Sequence, residues 1–330
     1  MQRREFITLL GGAAAAWPLA APRAAIAQTA KVHCLGTLTA GPPLAPTDGR
    51  AAILINTLAQ RDYTLGKNLA YEARGAAGKV GQLPHLMQEL KAANVEAVVT
   101  IGYPPAVAAK ESGIPTVIAT GSGDPVATGL VASLPRPGGN VTGIADDASS
   151  LSTKRLALLK ALLPNLRRVA MLWNKDDLGM SLRYEASAKA AREIGVAVQT
   201  LGVREPDDFN DAFGTMNREM PDAILMVSDS LTVLNRKRVI DFAAEHRVPA
   251  IYEFDGIVRD GGLMYYGADQ RESFIRAAAL VDSIFKGAKP ADLPVEQPTP
   301  YIFVINLKTA KTMGLEIPSN VAVLADEVIE

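Results

Sequence analysis

The sequence predicts an α/β protein with two Rossmann-like lobes, each built on a parallel sheet and joined by a hinge of three chain segments. Three observations support this prediction. Apolar, β-rich runs alternate with amphipathic runs of helical length almost to the C-terminus, as parallel sheets covered by helices require. The chain of 330 residues is 48% hydrophobic and 21% charged, so it can bury the cores of two domains. Two stretches rich in proline interrupt the alternation.

The first 27 residues have the features of a secretion signal. Arg3 and Arg4 precede an apolar run at 6–21, and Ala25-Ile26-Ala27 is an A-x-A cleavage motif. The alternative is a membrane anchor, but prolines interrupt the run and it is shorter than the roughly 20 residues of a spanning helix. We therefore expect cleavage after residue 27 and a periplasmic protein. Paired arginines occur in both twin-arginine and Sec signals, so both export routes stay open.

Charge and cysteine content narrow the class of protein. The formal net charge is -1, and removal of the signal makes the chain more negative, so no basic surface for nucleic acid is expected. Cys34 is the only cysteine, which excludes an intrachain disulfide. A lipid-attachment motif has a small residue directly before its cysteine, and Cys34 is not preceded by one. We expect a free periplasmic monomer.

The predicted strands and helices follow one another along the chain. Strands are predicted at 32–38, 69–74, 97–101, 116–119, 169–173, 197–201, 223–227, 250–252 and 263–266. Helices are predicted at 152–163, 207–218, 231–246 and 270–286. In the first helix Leu156, Leu159, Leu162 and Leu163 share one face, and Gly287 ends the last.

The proline-rich stretches mark the predicted boundaries between lobes. Residues 135–140 contain two prolines and two glycines, which cannot continue a helix or a strand interior, and residues 289–300 contain four prolines. The predicted organisation is a signal peptide at 1–27, a first lobe at 28–145, a second lobe at 146–266, a return to the first lobe and crossover at 267–300, and a C-terminal segment at 301–330 packing on the second lobe. The alternative is two independent domains joined once.

Binding residues are expected beyond the carboxyl ends of the strands, where open α/β sheets hold their ligands. The candidates are Thr39, Tyr103, Pro104, Ala106, Gly121 and Asp124 in the first lobe and Asn174, Ser228, Asp229, Tyr252 and Tyr266 in the second. The loop at 102–106 joins a strand to a helix, whose free N–H groups suit a carboxylate. Asp229 either meets a ligand ammonium or caps the following helix.

Aromatic residues are concentrated at the predicted strand ends of the second lobe. They are Trp173, Tyr252, Phe254 and Tyr266. This concentration favours a flat or apolar ligand, although the alternative is that some of these rings belong to the core. Tyr103 either stacks on an aromatic ligand or fills space beside a smaller one.

No pattern of residues points to an enzyme. The three histidines have no second ligand at metal spacing, and residues 121–124 lack the third glycine of a dinucleotide fingerprint. Neither a G-x-S-x-G motif nor a Walker lysine motif is present. We expect no catalytic residue, no metal and no cofactor.

Long ordered blocks of the sequence resemble a known family. The blocks are 123–126, 129–134, 136–144 (Arg-Pro-Gly-Gly-Asn-Val-Thr-Gly-Ile), 249–252, 261–267 (Gly-Gly-Leu-Met-Tyr-Tyr-Gly), 287–298 and 305–311. They are similar to the ABC-transporter substrate-binding family that includes tryptophan- and tyrosine-binding-type receptors. In that family the loop at 102–105 usually reads Gly-Thr-Pro-Ala, so Tyr103 replaces a small hydroxyl residue.

The resemblance implies a type I periplasmic-binding-protein fold with a small molecule held between two closing lobes. It also implies that an ABC permease and its ATPase are partners. The expected ligand is an aromatic or branched amino acid, or a related aromatic carboxylate. An alternative with the same fold is a periplasmic sensing input for a membrane signalling protein.

Overall fold

The strands form two sheets in the computed structural model, which describes residues 31–145 and 147–330. In chain order the strands are β1 (His33–Thr39), β2 (Leu69–Gly75), β3 (Ala97–Ile101), β4 (Thr116–Thr120), β5 (Val141–Gly143), β6 (Arg168–Asn174), β7 (Ala197–Val203), β8 (Ala223–Met226), β9 (Ala250–Tyr252), β10 (Met264–Ala268), β11 (Tyr301–Asn306) and β12 (Glu327–Ile329). The predicted signal peptide lies outside the described residues.

Helices connect most of these strands. They are α1 (Gly49–Ala59), α2 (Leu83–Ala92), α3 (Tyr103–Ser112), α4 (Ala148–Leu162), α5 (Leu178–Glu193), α6 (Asp208–Arg218), α7 (Ser230–Leu234), α8 (Arg236–Glu245), α9 (Asp255–Arg259), α10 (Gln270–Phe285), α11 (Leu307–Met313) and α12 (Ser319–Ala322). Over the described ranges, none of these helices is long and apolar enough to cross a membrane.

The first sheet is parallel and has the strand order β2-β1-β3-β4-β5. Its central strands are buried on both faces, as parallel sheets require. On one face Leu54 of α1 and Phe274 of α10 pack with Leu35, and on the other Met87 of α2 packs with Leu38. We call this sheet with α1, α2, α3 and α10 the first lobe.

The second sheet has the order β12-β11-β10-β9-β8-β6-β7, and only the β10–β11 pair is antiparallel. Its strands from β6 to β10 repeat the order of the first sheet. One face is covered by Leu159 of α4 and Met180 of α5, the other by Phe209 of α6 and Phe242 of α8. We call this sheet with the remaining helices the second lobe.

The chain passes between the two sheets three times, after β5, after β10 and before β11. The passing segments hydrogen-bond one another: Ala145 N donates to Glu296 O at 2.8 Å, and Asp269 N donates to Pro300 O at 3.0 Å. The predicted fold class is therefore confirmed. The predicted domain boundaries stay a prediction, because residues Val32–Glu330 form one compact unit.

Three strands and the interruption of one helix were not predicted from the sequence. Strands β5 and β12 have three residues each, too few for a readable alternation, and β11 follows directly on the proline-rich stretch. The helix predicted at 231–246 is two helices, α7 and α8, separated at Asn235. The Asn235 side chain donates to Leu231 O at 3.0 Å, a local bond of the kind by which asparagine competes with helix continuation.

Candidate ligand-binding site

A cavity of about 210 Å³ is lined by loops that follow strands of both sheets. The first lobe contributes the loops after β1, β2, β3 and β4, and the second lobe those after β6, β7, β8, β9 and β10. In each sheet the strand order reverses beside the first of these strands, between β1 and β3 and between β6 and β8. Open α/β sheets bind ligands at such switch points, which makes this cavity the candidate site.

The first-lobe wall consists mainly of small and apolar residues. After β1, Thr39 Oγ1 donates to the carbonyl of Pro42 at 2.7 Å and holds the turn that borders the cavity. After β3, Gly102 precedes α3 with φ +93°, a conformation that favours glycine, and Pro104 lies in the first turn of that helix. Gly121, with φ +76°, lies beside Gly102 after β4. This wall offers close backbone approach, and its charge comes from Arg50 of α1.

The first turn of α3 has fewer backbone donors than the sequence suggested. Gly102 N donates to Thr120 O at 2.9 Å, and Ala106 N donates to Gly102 O at 3.4 Å. Pro104 and Pro105 have no N–H. A carboxylate therefore finds little to bind at this turn, and charged donors on the opposite wall become the stronger candidates.

The second-lobe wall holds Asn174 and Asp229 in one hydrogen-bonded unit. Asn174 Nδ2 donates to Asp229 Oδ2 at 2.7 Å. Asp229 Oδ1 accepts from Thr232 N at 2.9 Å, and Asp229 N donates to Thr232 Oγ1 at 2.9 Å, which is a capping box for α7. Asp229 therefore caps a helix and also lines the cavity.

Asp177 is a second carboxyl group on this wall and is only 2% exposed. Its Oδ1 accepts from Met180 N at 3.1 Å and so caps α5. Burial, together with the nearby charge of Asp229, raises the pKa of Asp177 to about 7, against the opposing effects of the Met180 amide and Arg183. Near neutral pH this carboxyl group is therefore divided between its protonated and ionised forms.

Glu253 lies between two arginines behind the same wall. Its side chain is fully buried; Arg155 Nη1 donates to its Oε1 at 2.5 Å and Arg183 Nη1 to its Oε2 at 2.6 Å. Burial alone would raise the pKa of Glu253, but Arg155 and Arg183 outweigh that effect and hold the pKa below its ordinary value. All three residues line the cavity. The two arginines and the glutamate form a buried cluster of charges beside the cavity.

Ser228 lies between these groups. Its N–H faces Glu253 Oε2 at 3.4 Å, and its Oγ is buried without a hydrogen-bond partner among the described residues. A buried hydroxyl without a partner costs about 1–3 kcal/mol. A polar ligand atom that reaches Ser228 Oγ would therefore be stabilised.

The structure brings six of the predicted residues to the cavity: Thr39, Pro104, Gly121, Asn174, Ser228 and Asp229. It does not bring the other five there: Tyr103, Ala106, Asp124, Tyr252 and Tyr266. The first group marks strand ends at or near the two switch points. The second group includes side chains that point into the core or hold a turn.

Three of these five belong to the first lobe. Ala106 is fully buried in an apolar cluster with Ile118. Asp124 Oδ1 accepts from Val126 N at 2.9 Å and closes a turn. Tyr103 packs against the same cluster as Ala106, and burial and the charge of Asp177 raise the pKa of its phenol.

Most of the predicted aromatic residues of the second lobe belong to its core. Tyr252 is fully buried, Tyr266 packs near Phe303, and Trp173 stacks on Tyr184 with ring centroids 3.6 Å apart. Alternation along a strand places a side chain on one face of the sheet, and position near the strand end does not move it to the edge. Phe254, which follows β9, does line the cavity.

Sequence reasoning missed Arg155, Asp177, Arg183 and Glu253 as site residues. Glu253 directly follows β9 and Asp177 follows β6, so their positions at strand ends were a usable signal. Arg155 shares a helix face with Leu159, a weaker indication of burial. Arg183 lies within α5 and has no comparable indication. A charged residue in a helix is usually exposed, so only the packing reveals these two.

The charged groups of this wall suit the binding of a small polar molecule. Across residues 31–145 and 147–330, no group of three histidine, cysteine, aspartate or glutamate side chains is placed to hold a metal ion. Buried groups of both signs lie beside an apolar wall. That combination can hold a small molecule that carries a cation, an anion and an apolar part.

Comparisons with known proteins identify the family of this chain. A family model described as ABC transporter substrate binding protein matches residues 48–329. A tyrosine-binding protein of Clostridioides difficile (strain R20291) is 26% identical over 264 residues, which cover 79% of this chain and 75% of that protein.

Solved structures are similar over almost the whole chain. The ABC domain from Streptococcus pneumonia in complex with L-Trp gives a TM-score of 0.80 at 25% identity and covers 91% of this chain and 100% of that one. A conserved domain protein from Vibrio cholerae gives a TM-score of 0.82 at 23% identity, with 90% and 100% covered. The fold is that of a type I periplasmic binding protein. Because the family model spans most of the sequence, the chain belongs to the ABC transporter substrate-binding protein family.

Proposed function

We propose that this protein captures a single amino acid with an aromatic or branched side chain for an ABC uptake transporter. The observation that carries the proposal is the pairing, in one small cavity, of buried charges of both signs with an apolar wall. A free amino acid presents the same three features: an ammonium, a carboxylate and an apolar side chain.

The charged groups suggest how the ligand is oriented. Arg155 and Arg183 are guanidinium groups that line the cavity, and such forked donors suit the ligand carboxylate. Asp177 and Asp229 are the anionic groups beside them and suit the ammonium. A ligand with both groups would compensate both charges, whereas a simple acid would bring an additional anion to the carboxyl pair.

The apolar part of the ligand would face aliphatic side chains and one aromatic ring. These residues are Pro42, Val80, Ile101, Leu151, Leu231, Val233, Leu234 and Phe254. The cavity volume of about 210 Å³ lies below the roughly 300–1,000 Å³ of pockets for drug-sized molecules, so it suits a single small solute.

The similar proteins support this choice of ligand. One is named a tyrosine-binding protein and another was solved in complex with L-Trp. Family members act outside the cytoplasm and deliver small molecules to a permease and its ATPase. We further propose that the mature chain acts in the periplasm as a monomer, binds no nucleic acid and leaves its ligand chemically unchanged.

A ligand series tests the proposal. L-Trp, L-Tyr and L-Leu are compared with indole-3-propionate, which lacks the ammonium, and with tryptamine, which lacks the carboxylate. We expect a thermal shift and a calorimetric binding signal for at least one amino acid, with a stabilisation of about 2.7 kcal/mol at a hundredfold excess over its Kd. Tighter binding of indole-3-propionate than of L-Trp would contradict the amino-acid proposal. Chromatography of the recovered ligand checks that it is unchanged.

A further inference from the structure

The backbones of the two lobes meet at a pair of glycines near the cavity. Gly123 lies in the loop after β4 of the first lobe, and Gly179 lies in the first turn of α5 in the second. A Cβ atom placed on Gly179 would lie 2.8 Å from Ser122 O and 3.1 Å from Tyr103 Cβ, and one placed on Gly123 would lie 2.9 Å from Gly179 Cα. These are distances that a side chain at either position could not keep without moving a backbone.

We propose that Gly179 is a positioning residue for ligand capture, because its lack of a side chain lets the second lobe close against the loop that carries Ser122 and Gly123. The inference rests on the proposed function in one respect, namely that the ligand is held by lobes that close over it. It adds a specific residue on which closure depends.

The backbone conformation of Gly179 does not itself require glycine. Its φ lies outside the positive range, whereas Gly123 has φ +72° and favours glycine for that reason as well. Gly179 lies in a helix, where alanine is the better helix former. The contact between lobes is the tightest restriction at 179, since the nearest second-lobe atom to a placed Cβ, Asp177 Oδ1, is 3.3 Å away.

Other contacts between the lobes involve small first-lobe residues. A Cβ on Gly41 would lie 3.9 Å from Ser230 Oγ, and a Cβ on Gly78 would lie 3.4 Å from Leu234 Cδ1. Both pairs join residues that line the cavity from opposite lobes. These distances leave room for a methyl group, so the approach at Gly179 is the tighter one.

Gly179→Ala tests the inference, with Gly49→Ala as the matched control. Gly49 begins α1, also lies in a first helical turn, and has no atom within 4 Å of its placed Cβ. We expect Gly179→Ala to fold with at least wild-type thermal stability and to bind L-Trp about ten- to a hundredfold more weakly by calorimetry, because overpacking now opposes closure. Gly49→Ala should bind as the wild type does.

A cross-linking measurement reports closure without any ligand. Gly41→Cys and Ser230→Cys are combined in a Cys34→Ser background, so that a disulfide between the lobes forms only when they approach. Adding Gly179→Ala should slow disulfide formation under a mild oxidant by about the same tenfold or more. Adding Gly49→Ala should leave the rate unchanged.

The two measurements distinguish the two ideas. If the wild type binds no amino acid, the proposed function fails, while the cross-linking rate still decides the role of Gly179. If Gly179→Ala cross-links as fast as its parent, the inference about Gly179 is wrong, whatever the ligand is. Binding of L-Trp by Gly179→Ala within twofold of the wild type would overturn it as well.

Discussion

Asp177 and Asp229 place two carboxyl groups on one wall of the cavity, and the burial of Asp177, together with the charge of Asp229, makes the wall sensitive to pH. Burial and Asp229 raise the pKa of Asp177 to about 7, while Arg183 and the amides of Met180 and Gly179 oppose the rise. Tyr103 faces the same carboxyl group, and its own pKa is raised by burial and by Asp177. A ligand ammonium would favour the ionised form of Asp177, so binding and deprotonation should be coupled.

Affinity for L-Trp should therefore rise with pH between about 5.5 and 8. The ligand ammonium stays charged over this range, while Asp177 must lose its proton to pair with it. Because binding releases at most one proton from Asp177, the affinity should fall by no more than about tenfold for each pH unit below 7. Calorimetry in buffers of different ionisation enthalpy should also detect proton release. Asp177→Asn should make the affinity independent of pH, and Asp241→Asn, at an exposed residue that pairs with Lys237 outside the cavity lining, should not. A slope unchanged in Asp177→Asn would contradict this assignment.

The same carboxyl group affects the stability of the unliganded protein. Its pKa is raised on folding from a model-peptide value of 3.8 to about 7, so the folded state holds the proton more tightly. The resulting stabilisation is present at acid pH and is lost as pH rises from about 4 through 7. Relative to Asp177→Asn, the wild type should thus lose unfolding free energy over that window.

At the scale of single elements, α7 depends on a residue that also lines the cavity. Asp229 accepts from Thr232 N and completes the capping box, and Asn174 orients its other oxygen. The two interpretations of Asp229 from sequence, helix cap and ammonium partner, are thus not exclusive. They differ in what they require of the residue, because a cap needs an acceptor and an ammonium needs a charge.

Substitutions of Asp229 should distinguish its role as the cap of α7 from its role as the charged partner of the ligand ammonium. Asp229→Ala should lower the unfolding free energy by about 1 kcal/mol in urea denaturation, because α7 loses its cap. Asp229→Asn keeps an acceptor and should unfold close to wild type, yet bind L-Trp about tenfold or more weakly, because the anion is gone. Asp207→Ala is the control, since Asp207 precedes α6 without a side-chain cap bond. Wild-type affinity in Asp229→Asn would exclude Asp229 as the ammonium partner.

Strands could be predicted from the sequence where their central residues are buried. The strands β1, β3, β4, β6, β8 and β9 are apolar runs with buried centres, so composition alone identifies them, whereas the edge strands β2 and β7 are partly exposed. The strands β5 and β12 have three residues each, and they are strands because they pair with β4 and β11, which are distant in sequence. No local pattern of residues specifies such a pairing.

At the scale of the whole molecule, the first sheet and the strands β6 to β10 of the second share one strand order, and loops at both switch points line the cavity. Three passing segments connect the two sheets and hydrogen-bond one another, so they can bend together as a hinge. A ligand shifts such a hinge only by its differential affinity for the closed form. Residues of both lobes line the cavity, so a ligand there would contact both lobes only in the closed form and would bind that form more tightly.

Saturation with L-Trp should therefore reduce the radius of gyration measured by small-angle scattering. The wild type is compared with and without ligand, and Asp177→Asn at the same ligand concentration serves as a weak-binding control. An unchanged radius at a concentration where calorimetry shows saturation would count against a closing hinge.

The sequence by itself determined the fold class, the export signal as a prediction, and the strand ends at which polar residues such as Asn174, Ser228 and Asp229 meet. It could do so because strand alternation, turn residues and topology rules are local or general. Only the tertiary structure decided that Tyr252 points into the core, that Arg155 and Arg183 hold Glu253, and that Gly179 contacts the other lobe. The physical reason is that burial, the pairing of charges and the approach of two backbones depend on residues far apart in the chain, which no local pattern records.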